Sequence, residues 1–179
     1  MENAFIMITG ASGESLVKLP EKAGEKGKSG WIPLKSVSFN VERTLDMSDL
    51  GTTQRGYANA NFGKIAVTSE LSLASPKLML SVADGTVRTK TVIHLCRSGS
   101  GSTGMEPYLT FTLHHSVIDK YEVSGGEEQI PEENWELAYR QIEVAYLAGD
   151  PKTGELGKDG KKSDFAWDIM SNEAGVSKS

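Results

Sequence analysis

Three side chains of the types that bind zinc, His94, Cys96 and His114, lie on two neighbouring segments with the alternating pattern of β-strands. His94 and Cys96 share one face of their strand, because alternate side chains of a strand point the same way. His114 could face His94 across a hairpin, and imidazole and thiolate groups are common zinc ligands. The sequence offers no fourth ligand, and the adjacent His115 points away from His114, so we expect the histidines to be structural. A zinc-dependent enzyme or a sugar-binding barrel is kept as a remote alternative.

The other patterns that could support catalysis are incomplete. The segment 24–29 ends like a phosphate-binding loop, but Lys22 stands where the motif needs a glycine, and the residues that follow cannot open a helix. Ser12 is followed directly by glycine and so lacks the spacing of a hydrolase nucleophile. Adjacent glutamates at 127–128 and 132–133 fall in a predicted polar loop, where carboxylates are normally solvated. We therefore predict a protein that is not an enzyme and needs no cofactor.

The composition excludes several classes of function. The 179 residues include 19 lysines and arginines against 24 aspartates and glutamates, and the net charge of −5 argues against binding nucleic acid or an anionic membrane. A hydrophobic fraction of 38% is typical of a soluble domain, and a single cysteine excludes an internal disulfide. The apolar run 5–8 is too short for a signal peptide, and no stretch is long enough to span a membrane. We expect the chain to fold in the cytoplasm.

The elements that would position these side chains are mostly strands. Alternating patterns predict strands over 4–8, 31–41, 63–69, 87–96, 108–117, 134–146 and 165–169. A flexible hairpin loop is predicted over 98–104, and a polar, Gly/Lys-rich connection over 10–30. Within the 134–146 pattern the apolar phase shifts by one residue after Arg140, which predicts a bulge or a change of the covered face. Cys96 is expected to be buried, because it ends a strand rich in apolar residues.

One segment carries the signals of a helix. Ser75 is predicted as its N-cap, Pro76 as its first helical residue and Gly85 as its C-cap. Its apolar stripe is predicted to include Leu78, Leu80 and Val82.

Spaced strands with one helix predict a mainly β fold, a compact β-barrel of two packed sheets flanked by one short α-helix. We expect a single domain over residues 1–179, with nothing appended after the last strand. It contains an extended loop over about 42–61 and a polar loop over about 149–163, and an irregular loop as long as the first is usually functional.

Several short motifs follow one another along nearly the whole chain. They are Phe5-Ile6-x-Ile8, Gly13-Glu14-Ser15, Ile32-x-Leu34-x-Ser36-x-Ser38, Ser75-Pro76-x-Leu78 with Gly85, the strand 108–117, Glu133-Asn134-x-x-Leu137-x-Tyr139-x-x-Ile142-x-Val144-x-Tyr146 and Trp167-Asp168-Ile169-x-x-Asn172. In order and spacing they resemble the haemolysin co-regulated protein (Hcp) family, the tube subunit of the bacterial type VI secretion system. Two departures are an insertion over Lys18–Ser29 and a longer segment around Asp46–Ala60.

The resemblance implies hexameric rings that stack into a hollow tube inside a contractile sheath, tipped by a spike protein. Such a tube is made in the cytoplasm and secreted by the machine without a signal peptide, carries small effectors in its lumen and is associated with virulence. A ring also needs one interface that closes and a second that stacks. A phage-type tail tube or a spike adaptor with the same barrel is the alternative.

The resemblance also suggests where rings would touch. The extended loop 42–61 is the candidate for ring-to-ring contact, through Leu45, Met47, Leu50, Arg55 and Tyr57. Apolar side chains on an exposed loop would otherwise be unusual, and the alternative is that the loop folds back on its own barrel. Two polar strand faces are candidates for the wall of the lumen: Ser36, Ser38 and Asn40, or Thr110, Thr112 and His114.

Overall fold

The computed structural model describes residues 3–21, 26–45, 59–99, 104–127, 129–150, 153, 155–157 and 161–175. Strands dominate these ranges, in agreement with the alternating sequence patterns. In chain order the elements are β1 (Ala4–Ile8), β2 (Ile32–Ser38), β3 (Val41–Arg43), β4 (Ala60–Phe62), β5 (Ile65–Glu70), α1 (Ser75–Asp84), β6 (Arg88–Ser98), β7 (Met105–Ser124), β8 (Glu132–Ala138), β9 (Gln141–Leu147), β10 (Lys162–Asp168) and β11 (Glu173–Ala174).

Nine strands form one antiparallel sheet in the order β11–β10–β9–β7–β6–β1–β2–β5–β8, and β8 pairs a second time with β7. This second pairing closes β7, β6, β1, β2, β5 and β8 into a barrel. Strands β9, β10 and β11 project from the barrel wall, and we call them the flange. Strands β3 and β4 form a separate two-stranded ribbon. The prediction of a mainly β fold, with a β-barrel flanked by one short helix, is therefore confirmed for the described part of the chain.

The longest strand, β7, bends and serves both the barrel and the flange. It has 20 residues, about twice the predicted 108–117, because its charged second half still alternates. Its first half pairs with β6 and β9, and its second half pairs with β8. At the bend His115 has a φ of 51°, which few residues other than glycine adopt, and Arg140 N donates to His114 O at 3.2 Å. The predicted phase shift after Arg140 thus marks a break between two strands.

Alternate residues of the barrel strands fill its interior, as the two-residue period of a strand requires. Trp135 and Leu137 point inwards from β8, and the Tyr139 hydroxyl donates to Gly63 O at 2.8 Å at the margin of the core. The other large, fully buried side chains of this core are Ile6, Ile32, Leu34, Ile65, Leu78, Ile93, Leu113, Ile118 and Ile142. Neighbouring strands all contribute, so the barrel has one continuous core.

A second, smaller core lies on the outer side of the barrel. Phe5, Val92 and Cys96 project outwards from β1 and β6, and Leu19 and Trp31 cover them. The covering segment, residues 11–21 and 26–31, is called the strap. The connection predicted as polar over 10–30 is not polar throughout, because Leu19 within it is fully buried, as is Trp31 directly after it. The predicted burial of Cys96 is confirmed.

Helix α1 covers one end of the barrel. Gly85 ends it in the left-handed conformation with a φ of 65°, as predicted, but the N-cap is Ala74 and not Ser75, whose Oγ instead accepts from Ser72 N at 2.8 Å. Leu78 is buried and Val82 packs against the core, whereas Leu80 is 60% exposed. The predicted stripe is wrong for Leu80, because residues two apart lie on nearly opposite sides of a helix.

In the described residues, no helix combines the length and apolar character needed to cross a membrane.

Replacing Leu78 by alanine should lower the free energy of unfolding by about 2–5 kcal/mol, because the side chain is fully buried and leaves a cavity. Replacing the exposed Leu80 by alanine in the same helix should change it by no more than about 0.5 kcal/mol. Urea denaturation followed by circular dichroism measures both values. Equal losses in the two variants would contradict the packing described for α1.

Candidate functional site

The segment predicted as an extended loop begins and ends in the β3–β4 ribbon. Val41 pairs with Phe62, and Arg43 pairs with Ala60. Leu45, the first of the candidate stacking residues, is half-buried just beyond β3. The remaining candidates lie outside the described residues: Met47, Leu50, Arg55 and Tyr57. The structure therefore shows where this segment leaves the fold and where it returns.

A stack of three aromatic rings joins the ribbon to the flange. The Phe62 ring lies 6.2 Å from the Phe165 ring and 6.0 Å from the Trp167 ring, at interplanar angles of 18° and 24°. Phe165 and Trp167 are two residues apart on β10, and their rings are 6.4 Å apart and nearly parallel. Offset stacking at these distances is favourable beyond the burial of area. The root of the extended segment is therefore held against the flange.

The apolar face of the flange runs from the core into solvent. On β9, Ile142 is fully buried, Val144 is half-buried and Tyr146 is 47% exposed. Phe165 on β10 is 40% exposed and pairs with Val144. A contiguous apolar surface of this kind commonly marks an interaction site.

The outer edge of β10 adds a second feature to the same surface. Strand β11 pairs only with Trp167 and Asp168, so residues 162–165 have no strand partner on this edge within the described part of the chain. An open strand edge offers backbone donors and acceptors to another chain. Apolar side chains and an open edge thus occur together at the end of the flange.

The first polar face considered for a lumen lies on the outer side of β2, β5 and β8. The Ser36 hydroxyl donates to Thr68 Oγ1 at 3.0 Å, and the Thr68 hydroxyl donates to Asn134 Oδ1 at 2.7 Å. Lys64 bridges Asp119 and Glu136 at 2.6 and 3.3 Å on the same side of the barrel. These side chains largely satisfy one another, and the face remains hydrophilic.

The second polar face lies on the outer side of β7 and its neighbours. His114 Nε2 donates to Glu143 Oε1 at 2.6 Å. His94 is only 2% exposed; its Nε2–H donates to Pro20 O at 2.7 Å, so Nδ1 accepts from the Thr110 hydroxyl at 2.8 Å. Burial lowers the pKa of His94 to about 4, so the ring is neutral at neutral pH.

The register of β6 and β7 separates the residues considered for zinc. His94 pairs with Thr110, and His114 pairs with Lys90, so the two histidines do not face each other across the hairpin. Cys96 lies in the small core under the strap, where burial raises the pKa of its thiol to about 12. In the ranges that the structure describes, no three His, Cys, Asp or Glu side chains are grouped so as to hold a metal ion.

A sequence model of the family described as "Type VI secretion system effector, Hcp" matches residues 5–146, from β1 into β9. The chain belongs to the Hcp family. Membership supports a structural role as a tube subunit of the type VI secretion system. Hcp proteins are secreted by this system. No curated protein matches the sequence.

Three solved structures share the fold of this Hcp family member. One described as a type six secretion system protein gives a TM-score of 0.79 at 18% identity, covering 98% of this chain and 100% of that one. Hcp1 from Salmonella typhimurium gives 0.69 at 17% identity, with coverages of 97% and 99%. A type VI secretion system effector from Yersinia pestis gives 0.64 at 19% identity, with coverages of 93% and 99%. The fold is thus shared over nearly the whole chain.

Sequence reasoning missed a buried polar cluster in this Hcp barrel. Glu133 is fully buried at the start of β8, where its two carboxylate oxygens accept from the Ser69 hydroxyl at 2.7 Å and the Tyr121 hydroxyl at 2.5 Å. Trp135 Nε1 donates to Ser69 Oγ at 3.2 Å. The expectation of solvated glutamates at 132–133 is therefore wrong for Glu133. Counting back two residues from the inward-facing Trp135 would have identified it, because strand side chains alternate.

Replacing Phe62 by alanine should free the β3–β4 ribbon from the flange, because it removes the ring that stacks on Phe165 and Trp167. Amide hydrogen exchange of β3 and β4 should accelerate by about tenfold or more, while exchange in β1 and β6 stays unchanged. Val41→Ala is the matched control, since Val41 pairs with Phe62 but is half-exposed. An equal effect of both substitutions would contradict the role of the stack.

Proposed function

We propose that this protein is the subunit of a type VI secretion tube, in which six copies form a ring and rings stack around a hollow lumen. The observation that carries the proposal is the family match over residues 5–146. The closed barrel with its flange agrees with it, because a tube wall needs a stiff unit with separate surfaces for its neighbours. The chain acts as one domain, and its work is mechanical.

The flange is the surface that we propose for ring closure. A cyclic ring uses a heterologous contact, in which one surface of each copy meets a different surface of the next. The open edge of β10 at residues 162–165 and the exposed rings of Tyr146 and Phe165 support this assignment. An added strand supplies backbone hydrogen bonds, and the buried aromatic rings supply most of the affinity.

The segment between β3 and β4 is the surface that we propose for stacking of rings. The Phe62 ring stacks on the flange, so the segment leaves and rejoins the fold close to the proposed ring contact. The residues proposed to make the contact are Leu45, Met47, Leu50, Arg55 and Tyr57.

The partners of the proposed tube follow from its place in the machine. The chain would be made in the cytoplasm, assembled under a spike protein inside a contractile sheath, and expelled with the spike. One of the polar faces, around Thr68 or around Thr112, would line the lumen and contact small effectors. Such faces suit a water-filled channel, because their hydroxyls and charges remain hydrated or paired.

Light scattering should give a hexamer of about 116 kDa, six times the 19.3 kDa chain, and negative-stain images should show a ring with an open centre.

Replacing Phe165 by aspartate should shift the midpoint for dissociation of the hexamer to a protein concentration at least about tenfold higher, because it places a charge at the proposed ring contact. Ile130→Asp, at an exposed site between β7 and β8, is the control and should leave the hexamer intact. A native chain that stays monomeric at high concentration would overturn the ring.

The triple substitution Met47→Ser, Leu50→Ser and Tyr57→Ser should leave the hexamer intact and abolish stacked tubes, because it removes the apolar side chains of the stacking segment. Sedimentation separates rings from stacks, and electron microscopy gives the tube lengths. Tubes of unchanged length would remove this segment from the stacking contact. Loss of the hexamer itself would assign the segment to ring closure.

A further inference from the structure

The strap has internal structure of its own. Leu19 and Lys28 exchange two backbone hydrogen bonds, Leu19 N to Lys28 O at 3.1 Å and Lys28 N to Leu19 O at 2.8 Å. Gly30 N donates to Ser15 O, and Ser15 N donates to Trp31 O, both at 3.2 Å. These bonds run between the two arms of the strap. The arms can therefore move together without breaking their own ladder.

The strap is attached to the outside of the barrel mainly through side chains. Leu19 and Trp31 rest on the small core formed with Phe5, Val92 and Cys96. This core is separate from the barrel core, which the same strands face with their other side, although Ala11 at the start of the strap packs in the barrel core. Lifting the strap would therefore expose the outer apolar side chains while the barrel stays closed.

An ion pair fastens the strap to β6. Glu21 Oε2 lies 2.9 Å from Lys90 Nζ of the barrel, and Glu21 Oε1 lies 2.7 Å from Lys28 Nζ in the other arm of the strap. The hydrogen bonds from the two lysines hold the pKa of Glu21 below its usual range. Protonation of Glu21 would weaken both contacts, so acid acts against the closed strap.

A buried histidine forms the second fastening. The His94 ring is covered by the strap through its hydrogen bond to Pro20 O and through Trp31, whose ring centre is 4.7 Å away. Protonation would place a charge on a ring that is only 2% exposed. With the strap lifted, the ring would be hydrated and would bind a proton at an ordinary pH.

Charged groups of the strap, β6, β9 and β10 lie around this histidine. Glu21 of the strap favours its protonated form, and Lys90 of β6 opposes it. Glu143 of β9 and Lys162 of β10 line the same groove. Burial outweighs the attraction of Glu21, so the closed strap keeps His94 neutral.

We propose that the strap, residues 11–21 and 26–31, is an acid-opened latch that lifts as a unit when His94 and Glu21 take up protons, and so exposes Phe5, Val92 and Cys96. The closed state disfavours the proton on both groups. His94 therefore drives opening as the pH falls from about 6.5 to about 4, and Glu21 adds to it at the acid end. This property belongs to the single chain and does not depend on ring assembly.

The single cysteine reports the opening directly. The rate at which 4,4′-dithiodipyridine modifies Cys96 in the full-length protein is measured from pH 7 to pH 4 and divided by the rate for a cysteine-containing peptide at each pH. The ratio should rise by about tenfold or more over this range, since one linked proton changes an equilibrium by at most tenfold per pH unit. A flat ratio would overturn the latch.

A second thiol position separates opening of the strap from global unfolding. Val67 is buried in the barrel core, so Val67→Cys in a Cys96→Ser background reports on the barrel. Its modification should stay slow down to pH 4. Equal acceleration of the two thiols would show that the barrel unfolds and would overturn the separate latch.

Three substitutions test the two fastenings. His94→Gln keeps a donor towards Pro20 but cannot titrate, so it should flatten the rise of the ratio above pH 4.5. Glu21→Gln should raise modification of Cys96 at pH 7 by about threefold to tenfold, because it removes the ion pair with Lys90. Lys90→Gln breaks the same pair from the barrel side and should give a similar increase. A full pH slope in His94→Gln, or unchanged rates at pH 7 in both ion-pair variants, would refute the proposed fastenings.

Discussion

The bend in β7 at His115 is the constraint on which the rest of the structure depends. It lets the first half of β7 pair with β9 and the second half pair with β8. Without it, β8 could not reach both β5 and β7, and the barrel would remain an open sheet. The bend is costly for His115, whose φ of 51° is unusual for a residue with a side chain. Hydrogen bonds offset this cost: Ile169 N donates to Arg140 O at 3.0 Å, and Gln141 Nε2 donates to Asp168 Oδ2 at 2.6 Å. The bend therefore joins the barrel and the flange.

Sequence alternation was sufficient to predict the barrel, since one face of most strands is buried and the other hydrated. The alternating pattern over 134–146 located β8 and β9, and the turn signals around Pro76 and Gly85 located the helix. Cross-strand partners could not be obtained in this way. The pairing of His94 with Thr110, and not with His114, depends on the register of β6 and β7, which loop length and the β-bulge near Cys96 determine. The same limit applies to the aromatic stacking of Phe62 on Phe165, because the two residues are about 100 positions apart in the sequence.

The strap shows a different limit of sequence reasoning. Leu19 follows Leu16 and Val17 without the period of a strand or a helix, and Trp31 directly precedes the pattern of β2. The burial of Leu19 and Trp31 depends on the outward faces of β1 and β6 being apolar as well, through Phe5 and Val92. An apolar residue on both faces of a barrel strand predicts that something covers its outside, and this signal was present in Phe5-Ile6 from the start. The candidate assembly surface could be predicted from the sequence only in part, because the exposure of Tyr146 and Phe165 depends on where the flange ends.

The buried thiol of Cys96 has a consequence for the assembly proposed above. Disulfide exchange requires a thiolate that another sulfur can reach. At 2% exposure, and with its pKa raised to about 12, the Cys96 sulfur is both protonated and shielded. In the proposed tube, neighbouring copies would therefore pass from a reducing to an oxidising compartment without cross-linking through Cys96. The closed strap would in this way keep disulfides out of the contacts between copies.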